Sequence, residues 1–72
     1  MFRSDLILAV SQKTGRNPKY CEEIVNATLE VMMDSLSKGE SVSLVGFGTF
    51  SLSDKNVVKF RPGNKLKEAV AK

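Results

Sequence analysis

At Gly39 the apolar residues of this 72-residue chain change their period. Ahead of it they recur at helical spacing: Cys21, Ile24, Val25, Thr28, Leu29, Met32 and Leu36 stay in phase over five turns. Behind it they alternate. Val42 and Leu44 take turns with Ser41 and Ser43, Phe50 and Leu52 with Ser51 and Ser53, and Val58 and Phe60 with Lys59 and Arg61. Helical period followed by strand period predicts an α+β chain: two helices, three antiparallel strands and a short last helix, with the helices on one face of the sheet.

The element ends carry their own signals. Ser4 is expected to cap the first helix, with Asp5 in the first turn and Leu6, Ile7 and Val10 on one face. Gly15 ends it, after Lys13. Asn17 caps the second helix and Pro18 takes its first position, where a missing N–H costs nothing. Gly39 after Lys38 stops it. Phe47 and Phe50 break the alternation across Gly48, which predicts a bulge or a close backbone approach. A tight turn at Asp54, Lys55 and Asn56 joins the second and third strands, and Pro62-Gly63 ends the sheet. In "NKLKEAVAK", Asn64 is the expected cap, with Leu66, Ala69 and Val70 facing inward.

Seventy-two residues make one domain, residues 1–72, with a small core. The single cysteine allows no internal disulfide, and small chains without such staples often gain stability by oligomerising. Val31 and Met33 add a second apolar stripe to the long helix. A helix apolar on two sides packs on two sides, and in so small a chain the second side is expected to meet another subunit. The bland alternative keeps both stripes in one chain's core.

Charge is distributed unevenly. Residues 1–53 hold five Lys/Arg and six Asp/Glu, and residues 54–72 hold six Lys/Arg and two Asp/Glu. If the apolar strand positions face the helices, the other face carries Ser41, Ser43, Thr49, Ser51, Ser53, Lys59 and Arg61. Antiparallel sheets commonly have one wet face. This one combines short hydroxyls, which donate to phosphate oxygens, with cations and no carboxylate, a pattern that fits nucleic acid.

Catalytic chemistry has no foothold. There is no histidine to activate a serine, and the GxG at Gly46 and Gly48 lacks the rest of a dinucleotide fingerprint. "PGNK" lacks the spacing of a P-loop. Glu22, Glu23, Glu30 and Asp34 read as a solvated helix face, and Cys21 as buried and inert. Neither an enzyme nor a metal or cofactor site is expected. The N-terminus lacks the form of a signal peptide, and no run approaches the roughly 20 apolar residues of a membrane span. The lone cysteine fits a reducing cytoplasm.

"VSLVGFGTFSLS", the helices before it and "VVKFRPGNKLKEAV" after it resemble the HU/integration host factor family of bacterial histone-like proteins. The resemblance covers nearly the whole chain and implies an intertwined dimer that binds DNA in the cytoplasm as part of the nucleoid of a bacterium or phage. It implies an aromatic centre of Phe47, Phe50 and Phe60 in a shared core, with Leu29, Met32, Leu36 and Leu44 around it. Members of that family carry a long β-ribbon arm between the second and third strands, whose tip proline wedges between base pairs. Here that region is "SLSDKNVVK", with no arm and no tip proline.

What the resemblance leaves for DNA is the dimer body. Arg3 matches a basic position at the start of the first helix, and Arg61 and Lys67 match basic positions on the last strand and helix. Asn64 stands where relatives often carry lysine, with Lys65 beside it, and Gly46 matches a turn whose backbone approaches DNA. Lys55 and Lys59 complete the expected nucleic-acid-binding set. The leading reading is a homodimer that binds duplex DNA without sequence specificity and bends it little. The alternative is an interaction module that pairs with a full-length HU-type chain and does not itself bind DNA. Were Arg61 not a contact, Lys13, Arg16 and Lys19 around the first turn would be the next surface to consider.

Overall fold

A computed structural model describes residues 1–71. In chain order the elements are α1 (Arg3–Thr14), α2 (Pro18–Ser37), β1 (Val42–Leu44), β2 (Gly48–Leu52), β3 (Val58–Pro62) and α3 (Asn64–Val70). This is the α+β order that the change of period predicts. The chain divides into two compact units, Met1–Val31 and the residues from Met32 onward.

In the first unit, α1 is capped by Phe2 rather than Ser4. The Asp5 carboxylate accepts the Phe2 N–H at 2.8 Å, and this satisfies a free donor two residues ahead of the expected start. Ser4 therefore lies inside the first turn. At the other end Gly15, at φ 75°, donates its N–H to the Ser11 carbonyl at 2.9 Å. Asn17 Oδ1 accepts the Tyr20 N–H at 2.8 Å, as the Asn-Pro start of α2 predicts.

The turn between the two helices is tied at Arg16. Ser11 Oγ donates to the Arg16 carbonyl at 2.6 Å, and the Arg16 N–H donates to Thr14 Oγ1 at 3.2 Å. Ser11, Ile7 and Cys21 are the buried side chains here. Of the face expected on α1, Ile7 is buried and Val10 half-buried, whereas Leu6 is exposed.

In the second unit α2 ends in a Schellman arrangement. Gly39, at φ 79°, donates to the Leu36 carbonyl at 3.0 Å, and Glu40 to the Ser35 carbonyl at 2.9 Å. The sheet has strand order β1-β2-β3 and is antiparallel throughout. Its register sets Val42 opposite Phe50 and Phe50 opposite Phe60, so these three share a face. The Phe50 and Phe60 rings lie 4.7 Å apart by centroid, and Phe47 and Phe60 lie 5.5 Å apart.

Pairing runs unbroken through Gly48, so its expected irregularity is a close approach and no bulge. A Cβ there would stand 2.5 Å from Phe60 Cε1 and 2.6 Å from the Arg61 carbonyl oxygen. Phe47 leaves the alternation because it closes a turn: its N–H reaches the Leu44 carbonyl at 3.0 Å, with Gly46 at φ 83° before it. A positive φ at that third turn position is the type II requirement that glycine meets without strain.

Between β2 and β3 the chain reverses where expected. Asn56 N–H donates to the Ser53 carbonyl, and Ser53 N–H to the Val57 carbonyl at 2.9 Å. Asn56 sits at φ 59°, so Asp54 and Lys55 form a turn followed by a left-handed residue, a standard three-residue hairpin closure.

Helix α3 is capped by Gly63, not Asn64, which is its first residue. Gly63 is extended there, and a Cβ would come within 3.2 Å of the Gly46 carbonyl carbon, so the position suits a residue without a side chain. Leu66 is half-buried, but Ala69 and Val70 are exposed, against the inward placing expected of them. The helix ends at Val70, and Lys72, the end of the run expected to be helical, lies outside the described residues. Among the described residues no helix is long and apolar enough to cross a membrane.

Candidate nucleic-acid interface

The register of β2 and β3 builds the polar face directly. Thr49 is opposite Arg61, Ser51 is opposite Lys59, and Ser43 on β1 is opposite Thr49. Directly opposed residues in an antiparallel pair lie on one face. Ser43, Thr49 and Arg61 thus form a row across all three strands, with Ser51 and Lys59 alongside. Ser43 Oγ and Thr49 Oγ1 are 3.2 Å apart and share a hydrogen bond. Lys59 and Arg61 are both exposed. Of the two remaining hydroxyls of the predicted face, Ser53 is committed locally, where its Oγ accepts the Val57 N–H at 3.2 Å, and Ser41 is exposed just ahead of β1, outside the paired strands.

At one end of the sheet, α3 is pinned to the β1–β2 turn. Gly63 N–H donates to the Phe47 carbonyl at 2.8 Å, and Leu66 N–H to the Gly46 carbonyl at 3.1 Å. These bonds set Lys65 over Gly46, where a Cβ on the glycine would be 3.4 Å from Lys65 Cδ. The structure therefore brings Gly46 and Lys65 together, with Asn64 adjacent in the first turn of α3 and Lys67 further along it. Lys55 stands apart at the tip of the β2–β3 hairpin, exposed. Arg3 belongs to the first unit, where its Nη1 donates to Asn26 Oδ1 at 3.2 Å. That bond uses one of the guanidinium's five donors.

Gly63, which sequence reasoning places only at the end of the sheet, has a role that reasoning missed. It anchors the basic helix to the turn, and the signal was present in "RPGN", where a glycine follows a strand-ending proline. The predicted dimer core is left uncovered in a single chain. Phe47, Phe60 and Leu44 are exposed, and Leu29, Met32, Leu36 and Phe50 are half-buried. Ile7 and Cys21 are the buried apolar side chains. An open groove of about 400 Å³ lined by Met33, Leu36, Ser37, Leu52, Asn56 and Val58 lies beside the hairpin. Glu22, Glu23, Glu30 and Asp34 are all exposed, as a solvated face should be. Among the described residues no group of three or more His, Cys, Asp or Glu side chains is placed to hold a metal.

One face of the three-stranded sheet thus carries hydroxyls and cations, and the other carries apolar side chains that are exposed or half-buried. The model of the family described as bacterial DNA-binding protein matches residues 1–56, and the chain belongs to that family. It is 34% identical to DNA-binding protein HU of Campylobacter jejuni over 91 positions, covering 100% of this chain and 93% of the relative. Among solved structures, HU of Thermotoga maritima carrying the V42I substitution superposes with a TM-score of 0.94 at 40% identity, covering 97% of this chain and 99% of that one. HU from Anabaena in a cocrystal with DNA superposes with a TM-score of 0.88 at 29% identity, covering 99% and 98%.

The alignment with the Campylobacter protein spans 91 positions and takes in all 72 residues here, so 19 of its positions have no counterpart in this chain. Membership makes this an HU-like structural DNA-binding protein and not an enzyme. The comparisons lend no support to a module that pairs without binding DNA.

Proposed function

We propose that the chain forms an armless homodimer that binds duplex DNA through its body, by phosphate contacts, with low sequence specificity and little bending. The observation that carries this reading is the exposed row of Lys59 and Arg61 beside Ser51, Thr49 and Ser43 on one sheet face. Cations supply the attraction and hydroxyls add short donors to phosphate oxygens. Gly46 and Lys65 extend the surface at one end, with Asn64 and Lys67 on α3, while Arg3 and Lys55 add charge elsewhere.

Dimerisation is supported by area. The chain exposes 6138 Å², whereas a folded monomer of its mass is expected to expose about 4,400 Å². The excess of roughly 1,700 Å² on each of two chains falls within the range of obligate dimer interfaces. The residues 1–72 act in this reading as one domain, completed by a second copy. The same apolar face would also accept a full-length HU-type chain, and native mass spectrometry after joint refolding separates homodimers from mixed ones. The site of action is the bacterial nucleoid, in the cytoplasm.

Two sets of Arg3, Lys59, Arg61 and Lys67 would neutralise roughly six to eight phosphates, giving a log–log salt slope of about −5 to −7. Electrophoretic shift of a random-sequence duplex at low and moderate salt tests the reading. Retarded complexes at micromolar dimer that weaken with this slope support it. Absence of any shift in low salt defeats it.

A further inference from the structure

We infer that the outer edge of β3 takes an added strand: an extended acidic peptide that pairs with Val58 and Phe60 and sets its carboxylates beside Lys59 and Arg61. β3 lies at one edge of the sheet, in the order β1-β2-β3, and all five of its residues are exposed. The bonds at its two ends fix which backbone groups it spends on β2. Ser53 N–H donates to the Val57 carbonyl at 2.9 Å, and Gly63 N–H to the Phe47 carbonyl at 2.8 Å. Bonded and unbonded pairs alternate along an antiparallel ladder. In this register Ser51–Lys59 and Thr49–Arg61 are then the bonded pairs, and Val58, Phe60 and Pro62 turn their backbone groups away from β2. None of those three makes a backbone hydrogen bond outside the sheet among the described residues. Val58 and Phe60 thus present free N–H and C=O groups, a template for a further strand, and Pro62, with no N–H, ends it.

Charge selects the occupant. Lys59 and Arg61 alternate with Val58 and Phe60, and their neighbours across β2 are the hydroxyls of Ser51 and Thr49. A second copy of β3 in antiparallel pairing would set its own cations opposite these, and like charges across a strand pair repel. A strand that alternates apolar with acidic residues instead brings carboxylates to the cationic face and apolar side chains beside Val58 and Phe60. β1, the opposite edge, is three residues long and carries no cation.

Fluorescence anisotropy at low salt, with a labelled peptide of about eight residues alternating valine and glutamate, tests this. The expected result is saturable binding that weakens about tenfold or more when lysine replaces glutamate. Two N-methylated peptides block alternate amides, either those of the valines or those of the glutamates. An added strand turns one set towards Val58 and Phe60 and the other outward. One version should lose affinity about tenfold or more, and the other should keep it within about threefold. Val58→Pro removes an N–H that the sheet does not use, and is expected to weaken the unmethylated peptide about tenfold with the far-UV circular dichroism unchanged. No binding at low salt, or equal effects of the two methylations, overturns the inference. The methylated peptides act on the unaltered protein, so this comparison stands whether or not the proline variant folds. A smaller mass of Val58→Pro in sedimentation, with native circular dichroism, would assign the edge to a second copy and overturn the inference as well. The test needs no DNA, so its outcome is separate from that of the DNA-binding reading.

Discussion

Arg61 and Gly48 occupy neighbouring rungs of the same sheet and carry opposite kinds of constraint. Arg61 is exposed on the polar face. Arg61→Glu reverses a charge in each subunit without disturbing packing. Its expected effect is a loss of DNA affinity of about tenfold or more on every sequence alike, with a salt slope shallower by about 2 per dimer. The melting temperature should hardly move, because exposed substitutions of this kind rarely alter stability. Unaltered affinity in a titration would shift attention to Lys13, Arg16 and Lys19, all exposed around the first turn. Gly48 answers to space alone. A methyl group there meets the Phe60 ring and the Arg61 carbonyl at 2.6 Å or less, so Gly48→Ala should lose about 1–3 kcal/mol in urea denaturation. A variant as stable as the parent would mean that the sheet relaxes freely at this rung.

Among the elements, α2 was the most legible in advance. Its Asn-Pro start and its glycine stop act through local chemistry: Asn17 reaches the Tyr20 N–H, and Gly39 takes the left-handed position. Asn17→Ala should therefore lower stability by about 1 kcal/mol, read as a drop in denaturation midpoint with the helical circular dichroism of the native state retained. The short helices were harder to bound. Ser4 and Asn64 have the right chemistry for caps, but Phe2 and Gly63 hold those positions. At α1 a carboxylate reaches back from Asp5, and at α3 the bond between Gly63 and Phe47 comes from a turn distant in sequence. Nothing in a propensity reading weighs such a contact. The alternation of β1 to β3 carried the polar row of the sheet, whereas the closeness of Gly46 and Lys65, each named separately through the resemblance, depends on a tertiary bond that no local pattern shows.

At the scale of the molecule, the amount of apolar surface left open decides the behaviour. Exposed Phe47, Phe60, Val31 and Met33 leave apolar surface that a second copy, in the homodimer proposed above, would cover. The melting temperature of the dimer is thus expected to rise with protein concentration, as mass action requires. A melting temperature constant over a hundredfold range of concentration, alongside a monomeric mass in sedimentation, would remove the homodimer from the account. The three-residue closure of the β2–β3 hairpin bears on how such a dimer assembles. Joining ends so near in sequence costs little chain entropy, and hairpins of this kind zip in about 1–10 μs. Each strand ribbon can be in place long before two chains meet by diffusion. Collision, and not the ordering of the sheet, then sets the pace of refolding in dilute solution.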